Sequence, residues 1–219
     1  MNRVLQVFAR APVPGQCKTR LVPALGAEGA AELHRRLLLR TLDAAFEAGR
    51  RLGGVRVELW CTPGTDHPFF RSCADRQALG LRVQRGSDLG ARMHDALADA
   101  IGQGALPLLV GTDCPSLDAA LFEQAFAAIE SPRAADVVLL PTEDGGYALI
   151  GGSRCDRSMF EGVPWSTDTV FTETRARIER LGWRMHALPV TWDVDRPADL
   201  DRLRRQAPQL LLDLPAAGA

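Results

Sequence analysis

LPLLVGTDCPSL, residues 106–117, is the part of the sequence that decides the fold class. Its first half, LPLLVG, is a short apolar run without a polar face, which is typical of a strand buried on both sides in a parallel sheet. Turn residues follow at once, and apolar spacing then predicts a helix from about Asp118 to Ile129. A buried strand followed by a helix indicates an α/β protein.

The same alternation extends along the chain in both directions. Further strands are predicted at RVLQVFA, VRVELWC, LGLRVQ, DVVLLPT, GYALIGG and WRMHALPV, and further helices over about 27–52 and at LGARMHDALADAIG, TVFTETRARIERLG and PADLDRLRRQ. DVVLLPT and GYALIGG are predicted to form a hairpin or a bent connection. We expect one domain over residues 1–219, with a mostly parallel central sheet, helices on both faces, and a poorly packed tail from about residue 209.

Composition disfavours several other classes of protein. The chain has 219 residues, 46% hydrophobic and 24% charged, with a formal net charge of −1. The overall charge therefore gives no indication of binding to nucleic acid or to an anionic membrane. No apolar run is long enough to span a bilayer, and the N-terminal run is too short for a signal peptide core. The five cysteines are odd in number and scattered, which fits a reducing cytoplasm better than a disulfide framework or a zinc site.

A loop with two cations follows the first predicted strand, in FARAPVPGQCKTRL, residues 8–21. Ligands of such sheets lie outside the carboxyl ends of the strands, which is where this loop falls. Gly15 allows the backbone to approach a ligand closely, while Lys18 and Arg20 add charges suited to a di- or triphosphate. The alternative is a solvated loop with surface cations, and the loop alone leaves both interpretations open.

Asp113 directly follows the strand of the opening stretch. It is a candidate N-cap for the next helix, but Ser116 or Asp118 is better placed for that role. The other interpretation is a ligand for a hard cation, because Mg²⁺ is usually held by one or two carboxylates together with substrate phosphates. The position at the end of a buried strand favours the cation ligand.

Together, ARAPVPGQCKTRL, VGTDCPSL and WDVDRPADLDRL resemble the nucleotidyltransferase and glycosyltransferase superfamily with the glycosyltransferase-A-like fold. The chain is most similar to a bacterial branch that resembles phospholactate guanylyltransferases and is often labelled a glycosyltransferase of arsenosugar biosynthesis. The resemblance covers nearly the whole chain. It implies that the first loop cradles the nucleotide phosphates and that Lys18 acts in catalysis by neutralising them. The nucleotide-binding residues implied in this loop are Ala9, Arg10, Gly15, Lys18 and Arg20. Many relatives have G-x-G-T-R-M there, whereas this chain has prolines.

The resemblance also implies a site for Mg²⁺ or Mn²⁺. Asp113 matches the first metal ligand of the superfamily. The second ligand falls in DVDRPADL, where Asp195 matches best and Asp193 is the reserve. Asp199, inside the last predicted helix, is expected to be a solvated carboxylate of the first turn.

QRGSDLGARM, residues 84–93, matches a segment that lies near the nucleotide base in relatives. Gly86 and Asp88 are the nucleotide-binding residues that this match implies. The alternative is an ordinary turn between a strand and a helix, with Asp88 as the N-cap.

Two later segments match the half of the fold that binds the acceptor, in PTEDGGYALIGG and VPWSTDTVFTET. The acceptor-binding residues implied by this match are Asp144, Gly145, Gly146, Trp165 and Ser166. The alternatives are a tight glycine turn in the first segment and core packing of Trp165 in the second. Ser166 or Thr167 is also the expected N-cap of the following helix.

The resulting expectation is a metal-dependent transferase that uses a nucleoside triphosphate or a nucleotide sugar, together with a small-molecule acceptor. Nucleotidyl transfer to a small phosphorylated acceptor is preferred, because Lys18 and Arg20 suit a triphosphate. Glycosyl transfer from a nucleotide sugar is the alternative, and a catalytically silent nucleotide-binding module is a third. The expected location is cytoplasmic, without nucleic acid or membrane partners, and the sequence leaves the oligomeric state open.

Overall fold

The computed structural model describes residues 2–76, 79–131 and 134–215. In the described residues, the strands are β1 (Asn2–Arg10), β2 (Val55–Thr62), β3 (Gly80–Val83), β4 (Ala105–Val110), β5 (Val137–Pro141), β6 (Tyr147–Gly152) and β7 (Met185–Ala187). The α-helices are α1 (Val22–Leu52), α2 (Pro68–Arg76), α3 (Leu89–Gly102), α4 (Ala119–Glu130), α5 (Val170–Arg180) and α6 (Asp199–Gln206). None of these helices combines the length and the apolar composition needed to cross a membrane.

The strands form one mixed sheet in the order β3-β2-β1-β4-β6-β5-β7. β1 pairs in parallel with β2 and with the central strand β4, while β6 runs antiparallel to both β4 and β5. The sequence left a hairpin or a bent connection open for β5 and β6, and the structure shows the hairpin. The predicted single α/β domain architecture with a mostly parallel sheet is confirmed.

Helices cover both faces of the sheet, as expected for parallel strands. α1, α2 and α4 bury apolar side chains against one face, where Leu5 and Val7 of β1 point. α3 and α5 cover the other face, packing against Phe8 and Leu109. This alternation leaves the carboxyl ends of β1 and β4 side by side at one edge, because Val7 pairs with Val110.

The element boundaries differ from the sequence predictions at several points. Gly26, with φ 72° and ψ 169°, interrupts α1, which explains why the helical pattern becomes regular only from about residue 27. α2 was not predicted, because Pro68 and the polar residues around it break the apolar spacing. The strand predicted at WRMHALPV has only three paired residues, because β7 lies at the edge of the sheet and pairs with β5 alone.

The C-terminal tail from about residue 209 was expected to be poorly packed, but its first residues pack against the domain. Leu210 is buried among residues of α1 and α6, and Arg36 donates hydrogen bonds to the backbone oxygens of Leu210 and Leu212. The described tail is therefore attached to the body of the domain through residue 212. Residues 216–219 of the predicted tail lie outside the described residues.

Gly90→Ala is expected to destabilise the fold by about 1–3 kcal/mol, because it forces atoms into a filled space. A Cβ at Gly90 would lie 2.6 Å from Cζ2 of Trp165 and 2.9 Å from Cβ of Phe160. Gly102→Ala, in the same helix but with no atom within 4 Å of the added Cβ, is the matched control. We expect it to be neutral or stabilising by less than about 1 kcal/mol. Urea unfolding of both variants measures the difference, and equal stabilities would contradict the proposed packing.

Candidate active site

A cleft with two connected lobes opens at the carboxyl edge of β1 and β4. The N-terminal lobe, about 900 Å³, is lined by the loop after β1, the start of α3 and the end of β4. The C-terminal lobe, about 750 Å³, is lined by the β5–β6 turn, residues 165–170 and residues 192–202. The two lobes share one wall, which contains Arg20, Asp113, Asp144, Asp193 and Asp195.

The residues predicted to bind the nucleotide fall mainly in the N-terminal lobe. Ala9, Arg10, Lys18, Arg20 and Asp88 all line it. Two other predicted residues, both glycines, do not line this lobe. Gly15, with φ 74°, has open space around it, and Gly86 borders a separate groove beside α3.

Lys18 is buried beneath this lobe rather than exposed in it. Its Nζ lies 2.6 Å from Oδ1 of Asp113 and donates a hydrogen bond of 2.6 Å to the backbone oxygen of Val194. Only 3% of the Lys18 side chain is exposed, compared with 48% of the Asp113 side chain. Burial would raise the pKa of Asp113, but the nearby Lys18 and His34 together outweigh this effect and hold that pKa below its usual value.

Asp195 is paired with the second cation of the opening loop. Its Oδ2 accepts a hydrogen bond from the Arg20 guanidinium, which joins the loop after β1 to the segment before α6. Asp199 fixes the backbone of this segment, since its Oδ2 accepts hydrogen bonds from the amides of Asp195 and Arg196 at 2.9 and 2.6 Å. Asp199 was expected to be a solvated carboxylate, and the structure instead shows it holding the loop.

Asp193, the reserve metal ligand, lies in a different electrostatic environment. Burial and the nearby charges of Asp144 and Asp113 raise its pKa to about 6. Asp144 sits in the β5–β6 turn, where its Oδ1 accepts hydrogen bonds from Oγ1 of Thr142 at 2.5 Å and the amide of Gly146 at 3.0 Å. The shared wall thus contains two carboxylates paired with cations, Asp113 and Asp195, and two without an ion pair to any described residue, Asp144 and Asp193.

We expect Asp193→Asn to stabilise the metal-free protein at pH 7 by about 1 kcal/mol, after allowing for screening of a partly exposed group. The pKa of about 6 in the folded state lies above the usual aspartate value of 3.8, so folding favours the protonated carboxyl group. The folded state then binds more protons than the unfolded state between these values, and stability falls as pH rises through this window. Asparagine does not titrate, so the variant avoids this loss of stability.

Urea unfolding in EDTA at pH 7 and pH 4 measures this difference. The advantage of Asp193→Asn should shrink at pH 4, where the wild-type carboxyl group is largely protonated in the fold. Asp195→Asn is the control, because it breaks an ion pair with Arg20 and should give no stabilisation. A variant that is less stable than wild type at pH 7 would contradict the assigned environment of Asp193.

The donor set of the shared wall fits a hard divalent cation. Within the described ranges, no three histidine, cysteine or carboxylate side chains converge closely enough to hold a metal by themselves. A complete protein cage is not required, because Mg²⁺ usually takes one or two carboxylates and completes its coordination with water and substrate phosphates. Asp113, exposed to the cleft, and Asp193, with its unneutralised neighbour Asp144, supply such oxygen atoms.

Asp88 serves as a helix cap, which was one of the two interpretations of its segment. Its Oδ1 accepts a hydrogen bond of 2.9 Å from the amide of Ala91, at the start of α3. Asp88 also lines the N-terminal lobe, beside Leu89, which is 46% exposed. In the same way, Asp118 rather than Asp113 caps α4, accepting from the amide of Leu121 at 2.8 Å.

The residues predicted to bind the acceptor are brought together by close packing. Asp144, Gly146, Trp165 and Ser166 line the C-terminal lobe. Gly145 lies behind it, at φ 87°, and a Cβ there would lie 2.0 Å from the backbone oxygen of Asp168. Only glycine therefore fits where the β5–β6 turn meets the segment before α5.

The expected N-cap of α5 at Ser166 or Thr167 is wrong. Thr169 occupies the N-cap position and makes no side-chain cap hydrogen bond. Ser166 has a left-handed backbone with φ 68°, and Oγ1 of Thr167 donates to the backbone oxygen of Pro164. The segment turns once more before the helix begins, which sequence spacing does not reveal.

Several residues of the cleft carried no usable signal in the sequence. His34 of α1 lies within 3.0 Å of the backbone oxygen of Arg10, and burial lowers its pKa. Gln84 donates hydrogen bonds from Nε2 to the backbone oxygens of Ala9 and Trp60. Arg202 binds both carboxylate oxygens of Glu143 and stacks over Trp192 at 4.4 Å. These contacts join distant segments, so local spacing could not have identified them.

The fold and the cleft define a class, the α/β proteins with the fold of nucleotide-diphospho-sugar transferases and nucleotidyltransferases. Within this class, the chain belongs to the family described as "Uncharacterized protein conserved in bacteria (DUF2064)", whose profile matches residues 42–167, more than half of the chain. Among curated proteins, none matches it significantly.

Solved structures support this class. A protein from Desulfovibrio desulfuricans G20, provisionally named a nucleotide-diphospho-sugar transferase, is similar with a TM-score of 0.80 and 26% identity, covering 97% of this chain and 94% of that chain. The CMP:2-keto-3-deoxy-manno-octonic acid synthetase complexed with CTP has a TM-score of 0.54 and 12% identity, covering 95% and 99%.

A third similar structure contains a metal. Glucosyl-3-phosphoglycerate synthase from Mycobacterium tuberculosis, in complex with Mn²⁺, uridine diphosphate and glucosyl-3-phosphoglycerate, has a TM-score of 0.52 and 11% identity. The match covers 99% of this chain and 82% of that chain. At these low identities, the second and third structures show the shared fold alone.

Proposed function

We propose that this protein is a metal-dependent transferase, and that it transfers a nucleotidyl group from a nucleoside triphosphate to a small phosphorylated acceptor. The observation that carries the proposal is the wall shared by the two lobes. A donor in the N-terminal lobe and an acceptor in the C-terminal lobe would meet at Asp113, Asp144 and Asp193.

In this reaction an oxygen atom of the acceptor phosphate attacks the α-phosphorus of the triphosphate. A new bond forms between that oxygen and phosphorus, and the bond from the α-phosphorus to the bridging oxygen of the pyrophosphate breaks. The chain needs no covalent nucleophile for this step; it has to align the reactants and exclude water. Arg10 and Arg20, both exposed in the N-terminal lobe, are the cations that we assign to the phosphates.

Asp113 and Asp193 are the residues that we assign to Mg²⁺ or Mn²⁺, with Asp195 as the alternative to Asp193. The ion would supply positive charge at the phosphates as the leaving group departs. Asp113 is fixed by Lys18, and Asp193 faces Asp113 and Asp144 without a cationic partner. Asp195 is the weaker candidate because Arg20 already neutralises it.

The acceptor is assigned to the C-terminal lobe. Asp144 would accept a hydrogen bond from an acceptor hydroxyl, and Gly146, which lines the lobe without a side chain, leaves room for the acceptor beside it. Gly145 would act from behind the lobe, by allowing the turn to pack against Asp168. Trp165, which packs against the apolar residues beneath α3, and Ser166 close the other side. These roles follow from the positions of the residues around the lobe.

Glycosyl transfer from a nucleotide sugar is the second candidate. It is favoured by the similarity to the D. desulfuricans protein, which aligns over nearly the whole chain. The C-terminal lobe is also lined by the partly exposed Trp165, whose aromatic face would suit the C–H surface of a sugar ring. The same carboxylates would then hold the cation on a diphosphate leaving group.

A thermal-shift panel of nucleoside triphosphates and nucleotide sugars, each with and without Mg²⁺, tests the proposal. A ligand at about 100 times its Kd adds about 2.7 kcal/mol of stability, which raises Tm by several degrees in a chain of this size. We expect a shift with at least one triphosphate that depends on Mg²⁺. A shift with nucleotide sugars alone would favour glycosyl transfer. Triphosphate binding without turnover across an acceptor panel would favour a silent binding module, and no shift at all would overturn both transferase candidates.

A further inference from the structure

Lys18 has an unusual backbone conformation. Its φ of 47° and ψ of 39° place it in the left-handed region, which residues other than glycine rarely adopt. Such a conformation persists only where the surrounding structure holds it, and it is frequent at functional sites. Here it turns the side chain inward, where only 3% of it remains exposed.

The buried ammonium group joins three segments that are distant in sequence. Nζ donates to the backbone oxygen of Val194 and lies against Oδ1 of Asp113, each at 2.6 Å. The amide of Val194 donates to the backbone oxygen of Asp113 at 2.9 Å. Since Val194 lies between Asp193 and Asp195, this set of contacts fixes the spacing between Asp113 and both later carboxylates.

These contacts also limit the ability of Lys18 to bind a ligand through its ammonium group. One proton of the ammonium group is donated to the backbone oxygen of Val194, and its charge is paired with Asp113. Reaching a phosphate in the open lobe would mean breaking a buried hydrogen bond and leaving Asp113 without its partner. Arg10 is exposed in the same lobe, and its guanidinium makes no ion pair or hydrogen bond with any described side chain or backbone atom.

We infer that Lys18 is a positioning residue, which holds Asp113 and the Asp193–Asp195 segment in the arrangement that binds the cation, and that it does not contact the nucleotide phosphates. This inference deepens the proposed function and rests on it. It differs from the role implied by the family resemblance, in which this lysine neutralises the triphosphate. The phosphate contact passes instead to Arg10 and Arg20.

Lys18→Met tests the inference, because methionine fills most of the same space without the charge or the donor. Partners that orient metal ligands typically contribute about 10- to 100-fold to metal affinity, so Mn²⁺ affinity of Lys18→Met should fall by about that factor. Removing a positive charge would by itself favour a divalent cation. A weaker affinity therefore reports lost positioning, and electron paramagnetic resonance of free Mn²⁺ measures it.

Arg10→Met is the matched control for loss of one positive charge in the same loop. It should leave Mn²⁺ affinity unchanged or slightly higher, and it should weaken triphosphate binding in EDTA, with a smaller dependence on salt than the wild type has. Lys18→Met should leave triphosphate binding in EDTA unchanged. Hydrogen exchange at the amide of Val194 should be faster in Lys18→Met and unchanged in Arg10→Met.

Two results for Lys18→Met would overturn the inference and leave the proposed function standing. One is an Mn²⁺ affinity equal to or tighter than that of the wild type, and the other is a loss of triphosphate binding in EDTA. No Mn²⁺ or triphosphate binding by the wild-type protein would instead defeat the proposed function. If Lys18→Met does not fold, Lys18→Gln keeps a hydrogen-bond donor without the charge, and the same comparison applies to it.

Discussion

Asp113→Asn is expected to reduce Mn²⁺-dependent nucleotide binding by about 100-fold or more, a loss of about 2.7 kcal/mol. An amide oxygen is a much weaker ligand for a hard cation than a carboxylate is. The substitution also leaves the buried Lys18 without its counter-ion, so stability should fall. We expect about 1–2 kcal/mol, below the figure for a fully buried pair, because the Asp113 side chain is 48% exposed.

Asp118→Asn is the matched control for this prediction. The same chemical change is made five positions along the chain, at a residue that caps α4 and does not line the cleft. Because asparagine is as good an N-cap as aspartate, both stability and binding should be retained. Calorimetric titration of nucleotide with and without Mn²⁺ measures the binding. Undiminished Mn²⁺ dependence in Asp113→Asn would exclude this residue as a ligand.

Asp193→Asn is expected to weaken Mn²⁺ binding about as severely as Asp113→Asn, whereas Asp195→Asn should weaken it by less than about 10-fold. The two aspartates are separated by one residue, but only Asp193 faces Asp113 and Asp144 without a cationic partner. Asp195 is already paired with Arg20, so its loss mainly releases that arginine. Combining Asp113→Asn with Asp193→Asn should add little, because both changes disable one site.

Mn²⁺ titrations of the three single variants and of the double variant measure these effects. A larger loss in Asp195→Asn than in Asp193→Asn would restore Asp195 as the second ligand, which is the assignment that the sequence resemblance favours. Strictly additive losses in the double variant would argue against a cation shared by Asp113 and Asp193. In either case the stabilisation of metal-free Asp193→Asn remains a separate check on the environment of that carboxyl group.

Much of the fold was predictable from the sequence because its signals are local. The apolar run Leu106–Val110 has no polar face, and such a run is stable only when both sides are covered. Asp88 and Asp118 precede apolar helical patterns, and both cap the helices that follow. The loops after β1 and β4 meet at one edge because parallel strands carry their carboxyl ends to the same side.

Local sequence patterns could not predict the direction of β6 or its position in the sheet. Its sequence predicts a strand, but its insertion between β4 and β5 depends on which unpaired edges remain when the domain closes. The three-residue β7 is a further case. Its sequence supports a longer strand, and only the limited edge offered by β5 decides how much of it pairs.

The sequence by itself determined that this is an α/β protein with cations after its first strand and carboxylates after its fourth strand and before its last helix. The tertiary structure decided which of these charges neutralise one another. Lys18 pairs with Asp113, and Arg20 pairs with an aspartate 175 positions away. Asp193 and Asp195 have the same side chain and nearly the same place in the chain, so spacing cannot separate them. Their difference arises because Coulomb interactions and burial depend on distances across the fold, which are set only when remote segments pack together.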